Sequence, residues 1–273
     1  MPFSVLDSIS EPGGTRANED RTGSSPHAAW VLDGATDVYT EPFLPAHNDV
    51  HYLVDHLGEL LFDRTRQGAD TPADALLNRL AAEIGDDLAG HGFPAERTHP
   101  TCSLGLLLDR GDTVELARIG DTTLIAVGAD TTELSTTFYN QREAAAVAAA
   151  GPSGLSAPEA RAALLRRRHE YITGVHPEGV FSGHPDARLR THTAFLPWRD
   201  ANHVLLCTDG FARAITDHGL FPDWPTLINE ALSESLAAIA KAIRDAEHRP
   251  DAQHAAAHFK RSDDLAAVLC ARS

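Results

Sequence analysis

The run Ala28-Ala29-Trp30-Val31-Leu32-Asp33-Gly34 decides how this chain is read. Five apolar residues in a row, too few for a helix, fit a strand buried on both faces. The run stops at an acid and then at once at glycine. A carboxylate is thereby placed on the rim of a sheet, and the glycine lets the backbone turn and bring its own carbonyl close to whatever that carboxylate holds.

The same pattern returns far along the chain. Val204-Leu205-Leu206-Cys207-Thr208-Asp209-Gly210 is again an apolar run closed by Asp-Gly, and Ser262-Asp263-Asp264 stands just before the apolar run Leu265 to Cys270. One Asp-Gly by itself is most often a turn. Three acids at three strand borders are a different matter. If the strands are neighbours, their rims carry like charges that repel unless a cation sits among them. Carboxylate and carbonyl oxygens are ligands for hard divalent ions such as Mg²⁺ and Mn²⁺. Two such ions would lower the pKa of a water between them and clamp the oxygens of a phosphoryl group. No Ser-His-Asp or cysteine-centred motif competes with this reading.

The formal charge of −16 over 273 residues argues against nucleic acid as a partner, which calls for a basic face. Cys102, Cys207 and Cys270 all lie in apolar strand-like runs and read as buried free thiols of a reducing compartment. Met1-Pro2-Phe3 does not open a basic stretch followed by a long apolar one, so no signal peptide is expected. No apolar stretch approaches the ~18 residues of a membrane span. A cytoplasmic protein with no membrane partner is the expectation.

Between the acidic borders the hydrophobic period changes. Val50, Leu53, Val54, Leu57 and Leu61 mark one helix, with Asn48 or Asp49 as its cap. Thr71-Pro72 opens a second, carried by Ala73, Leu76, Leu77, Leu80, Ile84 and Leu88. Ser103–Leu108, Thr113–Ile119 and Thr123–Val127 read as an antiparallel meander. A short helix is expected over 144–150, and a capping box at Ser156–Glu159 starts another that runs to about Tyr171. Residues 172–203 read as an irregular surface excursion, and a single long helix is expected from about Pro225 to Glu247, followed by a polar stretch from Arg249 to Phe259. Strands and helices are segregated, which points to an α+β fold of packed layers in one domain over 1–273, with a lid or flap excursion at 140–203.

The ordered set Asn18-Glu19-Asp20-Arg21, Val31-Leu32-Asp33-Gly34, Thr101-Cys102-Ser103, Ile119-Gly120-Asp121-Thr122, Leu206-Cys207-Thr208-Asp209-Gly210-Phe211 and Ser262-Asp263-Asp264-Leu265 resembles the metal-dependent protein phosphatases, the PPM or type-2C family, over nearly the whole chain. The resemblance implies two packed antiparallel β-sheets flanked by helices, a four-layer αββα sandwich with a two-metal site at one edge. It implies Asp33 bridging two Mn²⁺ or Mg²⁺ ions, the Gly34 carbonyl on one of them, Asp209 and Asp263 on the other, and Glu19 and Asp20 acting through bound waters. Arg16 becomes the phosphate-binding arginine, with Arg21 as its rival, and Asp121 and Asp264 stand behind the metal ligands.

The chain departs from that pattern after Asp33-Gly34. Ala35-Thr36-Asp37 stands where the family has a small residue or histidine and then two glycines, so no histidine follows the acid directly; His47 and His51 read as surface residues. Arg213 stands where many bacterial members place an acid of a third metal site. The basic run Arg166-Arg167-Arg168-His169 reads either as a solvated helix face or as a substrate-recruiting patch beside the excursion. The expected activity is hydrolysis of a phosphomonoester, on phosphoserine or phosphothreonine in a protein by family analogy. The alternatives are a small phosphorylated metabolite as substrate, or a catalytically weak binding module on the same fold.

Overall fold

The computed structural model describes residues 3–37, 39–139, 142, 158–249 and 261–272. Strand β3 (Ala28–Gly34) shows why its sequence is apolar without alternating. Ala29 and Val31 face one hydrophobic core, while Ala28, Trp30 and Leu32 face another. A strand covered on both faces has no solvent side on which to place polar residues.

Among the described residues two five-stranded antiparallel sheets are present. One is ordered β2 (Arg21–Ser25), β3, β4 (Cys102–Asp109), β5 (Thr113–Ile119), β8 (His192–Pro197). The other is ordered β1 (Phe3–Glu11), β10 (Leu265–Arg272), β9 (His203–Cys207), β6 (Thr123–Val127), β7 (Thr131–Leu134). They pack face to face through Val31, Leu107, Leu116, Leu124, Leu206 and Val268, with Phe3 and Trp198 at one end. The outer face of the first sheet carries α1 (Asp49–Thr65) and α2 (Ala73–Gly90). The outer face of the second carries α4 (Asp209–Thr216), α5 (Trp224–Ser233) and α6 (Leu236–Glu247). Helix, sheet, sheet and helix form the four expected layers. Each fully buried leucine in these three cores contributes roughly 1.5–3 kcal/mol against the chain entropy lost on folding.

The local signals place α1 as read. Its apolar stripe faces the sheet, and the Asn48 side chain accepts from the His51 amide at 2.7 Å. In α2 the expected cap shifts by one residue. Pro72 occupies the cap position and has no side chain to offer, and the buried Glu115 on β5 accepts from the Ala73 amide at 3.1 Å instead.

Three expectations are corrected. The meander does not stay in one sheet: β4 and β5 pair, but the chain turns at Gly120 and β6 joins the opposite sheet beside β9. The excursion over 172–203 is not all irregular, because β8 closes the edge of the first sheet against β5. The single long helix is two, broken at Glu234 and Ser235, where the Ser235 hydroxyl caps α6 by accepting from the Ala238 amide at 3.1 Å. At the Asp209-Gly210 border the chain passes directly from β9 into α4. Helix α3 (Pro158–Ile172) ends near the expected residue. The expected helix over 144–150, the Ser156 cap and the polar stretch over 250–259 lie outside the described residues. The three cysteines are free and buried. Among the described residues no helix is long and apolar enough to cross a membrane.

Candidate active site

The three acidic borders meet. Asp33 lies opposite Ser103 in the β3–β4 register, and Asp33 is the odd-numbered continuation of Ala29 and Val31, the row that faces the space between the sheets. The Ser103 hydroxyl donates to Asp121 at 2.5 Å, so the turn that carries the chain between the sheets also fixes an acid beside Asp33. That turn needs a glycine. Gly120 has φ of 86°, and a Cβ there would lie 2.0 Å from the Ser103 hydroxyl oxygen. Gly34 is equally constrained, since a Cβ would fall 2.5 Å from the Glu19 carbonyl oxygen.

From the second sheet, the Thr208 amide donates to the Ala266 carbonyl at 2.9 Å, and the Ala266 amide returns a bond to the Thr208 hydroxyl at 2.9 Å. This clasp sets Asp209, first residue of α4, beside Asp263 and Asp264, which immediately precede β10. The N-terminal loop completes the wall. The Asp264 carboxylate accepts from the Gly13 amide at 2.7 Å through Oδ1 and from the Glu19 amide at 2.8 Å through Oδ2. Asn18 Oδ1 accepts from the Asp20 amide at 2.9 Å and holds Asp20 inward.

Asp20, Asp33, Asp121, Asp209, Asp263 and Asp264 thus line one wall of a half-open pocket of about 210 Å³, together with Gly34, Thr101 and Ser103. The pocket raises the cost of charge on its acids. Asp33 keeps some surface towards the pocket but is otherwise enclosed. Burial, then the charges of Asp20, Asp209, Asp121 and Asp263, hold its carboxyl well above the ordinary value of 3.8. Asp20 is raised well above the same value by burial first; the Thr208 side chain opposes the rise, and Asp209, Asp263 and Asp264 add to it. Asp20 Oδ2 is buried without a hydrogen-bond partner.

A donor set of carboxylates and a backbone carbonyl, mutually repelling and including an orphaned buried oxygen, fits a hard divalent cation. Among the described residues, however, no group of three or more His, Cys, Asp or Glu side chains is already drawn together as metal ligands would be. The acids share a pocket and stop short of a common point. Arg213 is buried beside them, and its guanidinium lies 3.0 Å from Asp263 Oδ2.

Not every residue singled out in the sequence comes to the pocket. Arg16 is exposed on the N-terminal loop and does not line it. Arg21 turns away, with Nε on Asp55 at 2.7 Å and Nη1 on the carbonyls of Asn18 and Asp20. Glu19 is buried behind the wall, where its Oε1 accepts from Asn48 Nδ2 at 2.8 Å and from the Asp37 amide at 3.2 Å. It braces the loop after β3 against the start of α1. His51 is buried, not a surface residue, and its Nε2 lies 2.7 Å from the Asn18 carbonyl oxygen. Arg213, read as a surface residue or as a charge near the site, is buried and close to it.

The opposite wall was not assigned from the sequence. Helix α3 presents Leu164, Arg167, Arg168 and Tyr171 to the pocket, one stripe at helical spacing. Arg168 is only 8% exposed, and its Nη2 donates to the Thr36 carbonyl at 2.9 Å. The basic run is therefore neither a plain solvated face nor a single patch. Arg166 is exposed and borders a separate cleft with His99, His169 and His184, while its two successors point into the acidic pocket. The available signal was the 164, 168, 171 spacing within the run.

These layers, with acids at the open edge between two antiparallel sheets, are the fold of the bacterial serine/threonine phosphatases that the motifs resemble. The chain is similar to the Mycobacterium tuberculosis serine/threonine phosphatase PstP/Ppp, with a TM-score of 0.58 at 17% identity over 99% of both chains. It is similar to the catalytic domain of PstP in complex with two manganese ions, with a TM-score of 0.56 at 14% identity over 99% of this chain and 98% of that one. It is also similar to the serine/threonine phosphatase Stp1 from Staphylococcus aureus, with a TM-score of 0.58 at 13% identity over 99% of this chain and 96% of that one. No protein-family model and no curated protein sequence matches the chain.

Proposed function

We propose that the protein is a Mn²⁺- or Mg²⁺-dependent phosphomonoesterase acting on phosphoserine or phosphothreonine in proteins. The observation that carries this reading is the pocket itself: six aspartates crowded on one wall, two of them with raised pKa values, face two arginines on the other. The fold shared with serine/threonine phosphatases, one of them in complex with two manganese ions, supports the substrate class and the cofactor.

Asp33, the Gly34 carbonyl, Asp209 and Asp263 would hold two divalent ions, with Asp20 within reach of a bound water. When bound, such ions supply Lewis acidity that acidifies water and neutralises phosphoryl oxygens. The chain's own residues do the rest. Ser103 orients Asp121, the Thr208–Ala266 clasp orients Asp209, and Asp264 fixes the loop that presents Asp20. Arg167 and Arg168 of α3 line the same pocket and would offer positive charge to phosphate oxygens.

A small phosphorylated metabolite is the second reading, favoured by the confined volume beneath α3 and by the unusual Ala35-Thr36-Asp37 loop, whose Thr36 carbonyl is tied to Arg168. Manganese should stimulate release of phosphate from a generic aryl phosphate, and Asp33→Ala and Asp209→Ala should abolish it while remaining folded. Folded wild-type protein that stays inert with manganese would sink the proposal. A panel of phosphopeptides and small phosphate esters, compared by kcat/KM, decides between the two substrate classes.

A further inference from the structure

Arg168 poses a physical problem that the fold alone does not solve. Its guanidinium carries a permanent charge and five N–H donors. It is more than nine-tenths buried and lines the pocket. Among the described residues its hydrogen bond is the one to the Thr36 carbonyl, and it forms no ion pair. Asp37 and Glu19 lie near enough to contribute to its field without touching it. None of its nitrogens is both fully buried and without a partner, and a largely buried cation of this kind is stabilised when an anion completes it. Arg167, the next residue back, lines the same pocket, with its Nη1 3.5 Å from the Arg142 carbonyl oxygen.

We propose that Arg168, assisted by Arg167, is the ligand for the non-bridging phosphate oxygens in this pocket, in place of the exposed Arg16. The inference rests on the phosphomonoesterase reading for its substrate and deepens it. The phosphoryl group is gripped from α3, opposite the acidic wall, so the substrate has to enter between α3 and the sheet edge. A planar fork anchored on one side by the Thr36 carbonyl has N–H groups left to offer a tetrahedral oxyanion. Its tether ties that grip to the loop directly after Asp33-Gly34, so the two walls of the pocket are held in register.

The test uses inorganic phosphate as probe, titrated calorimetrically into the full-length protein in magnesium, beside kcat and KM on an aryl phosphate. Arg168→Gln should weaken phosphate ~10-fold to ~100-fold, the range of a charge-assisted hydrogen-bond pair, and should raise KM. Arg168→Lys should recover part of the affinity, because it restores the charge without the fork. Arg167→Gln, a partly exposed position, should weaken phosphate severalfold and covers the case in which Arg168→Gln does not fold. Phosphate affinity within twofold of wild type in Arg167→Gln and Arg168→Lys together, or in a folded Arg168→Gln, overturns the proposal. So does loss of phosphate binding in Arg16→Ala alone, or wild-type protein that binds no phosphate. Wild type that binds phosphate through Arg168 but hydrolyses no ester defeats the enzymatic reading and leaves this one standing. Wild type that hydrolyses esters while Arg168→Gln binds phosphate normally does the reverse.

Discussion

Replacing Asp264 tests whether the acidic wall is held together as described. Its two carboxylate oxygens accept from two backbone amides, Gly13 at 2.7 Å and Glu19 at 2.8 Å, and so tie the N-terminal loop to the C-terminal strand. Each is a hydrogen bond to a charged acceptor in a part-buried position, worth about 1.5–3 kcal/mol. Water can reach the broken pair in part, so Asp264→Ala should cost about 3 kcal/mol. The informative variant is Asp264→Asn. The amide keeps one acceptor, but its NH₂ must face the other backbone N–H, so one bond is lost and a donor is set against a donor. The expected cost is still about 2 kcal/mol although the side chain keeps its size. Urea unfolding in chelator, with m unchanged, measures both. Asp264→Asn within about 0.5 kcal/mol of wild type would falsify the two-bond account. The functional counterpart is weaker protection by manganese, because the same bonds position Asp20.

Two further predictions concern charge. Folding raises the carboxyl pKa of Asp33, so the native state holds its proton more tightly than the unfolded chain does; stability is present at low pH and is lost as pH climbs above 3.8 toward the raised value. In chelator at pH 8, Asp33→Asn should therefore be at least as stable as wild type, with an advantage that shrinks toward pH 4, and manganese should reverse the order by stabilising only wild type. An asparagine variant less stable than wild type at every pH in chelator would refute the crowding. His99 behaves in the opposite sense: burial and then His184, with ring centroids 4.6 Å apart, push its pKa down from 6.5 to about 4. The unfolded chain takes up that proton first, so stability should fall as pH drops from 6.5 towards 4, and His99→Gln should flatten this part of the wild-type profile. Parallel profiles for the two proteins would rule this out.

The strand borders of the site were legible because both faces of β3, β9 and β10 are covered, which leaves uninterrupted apolar runs with an acid where each run meets the rim. Helix α1 was legible from its stripe and its cap. What the sequence hid was mostly non-local. Nothing near Gly120 announces that β6 joins the other sheet, since a tight turn reads alike whether it closes a hairpin or crosses between layers. The edge strands β2 and β8 are polar or half-exposed along their length, and Arg21–Ser25 has no apolar pattern at all. Two helices merged into one because Leu232, Leu236 and Ile239 keep helical spacing across the break. The arginines of the pocket were hidden for the same reason: the motif resemblance pointed to Arg16, which does not line the pocket, whereas Arg167 and Arg168 reach its lining from a helix far along the chain.

Strand β10 lies between β1 and β9, so among the described residues the last strand is inserted beside the first. This places a clock on the site. At roughly 5–20 residues per second of synthesis, Asp20 and Asp33 leave the ribosome on the order of ten to fifty seconds before Asp263 and Asp264 can join them. Until β10 arrives, β9 is an unpaired edge and the N-terminal loop has no carboxylate to close on. A chain stopped short of residue 263 carries Asp20, Asp33 and Asp209 but neither of the acids that complete the wall. The geometry thus keeps the acidic pocket from forming until the chain has been made through β10.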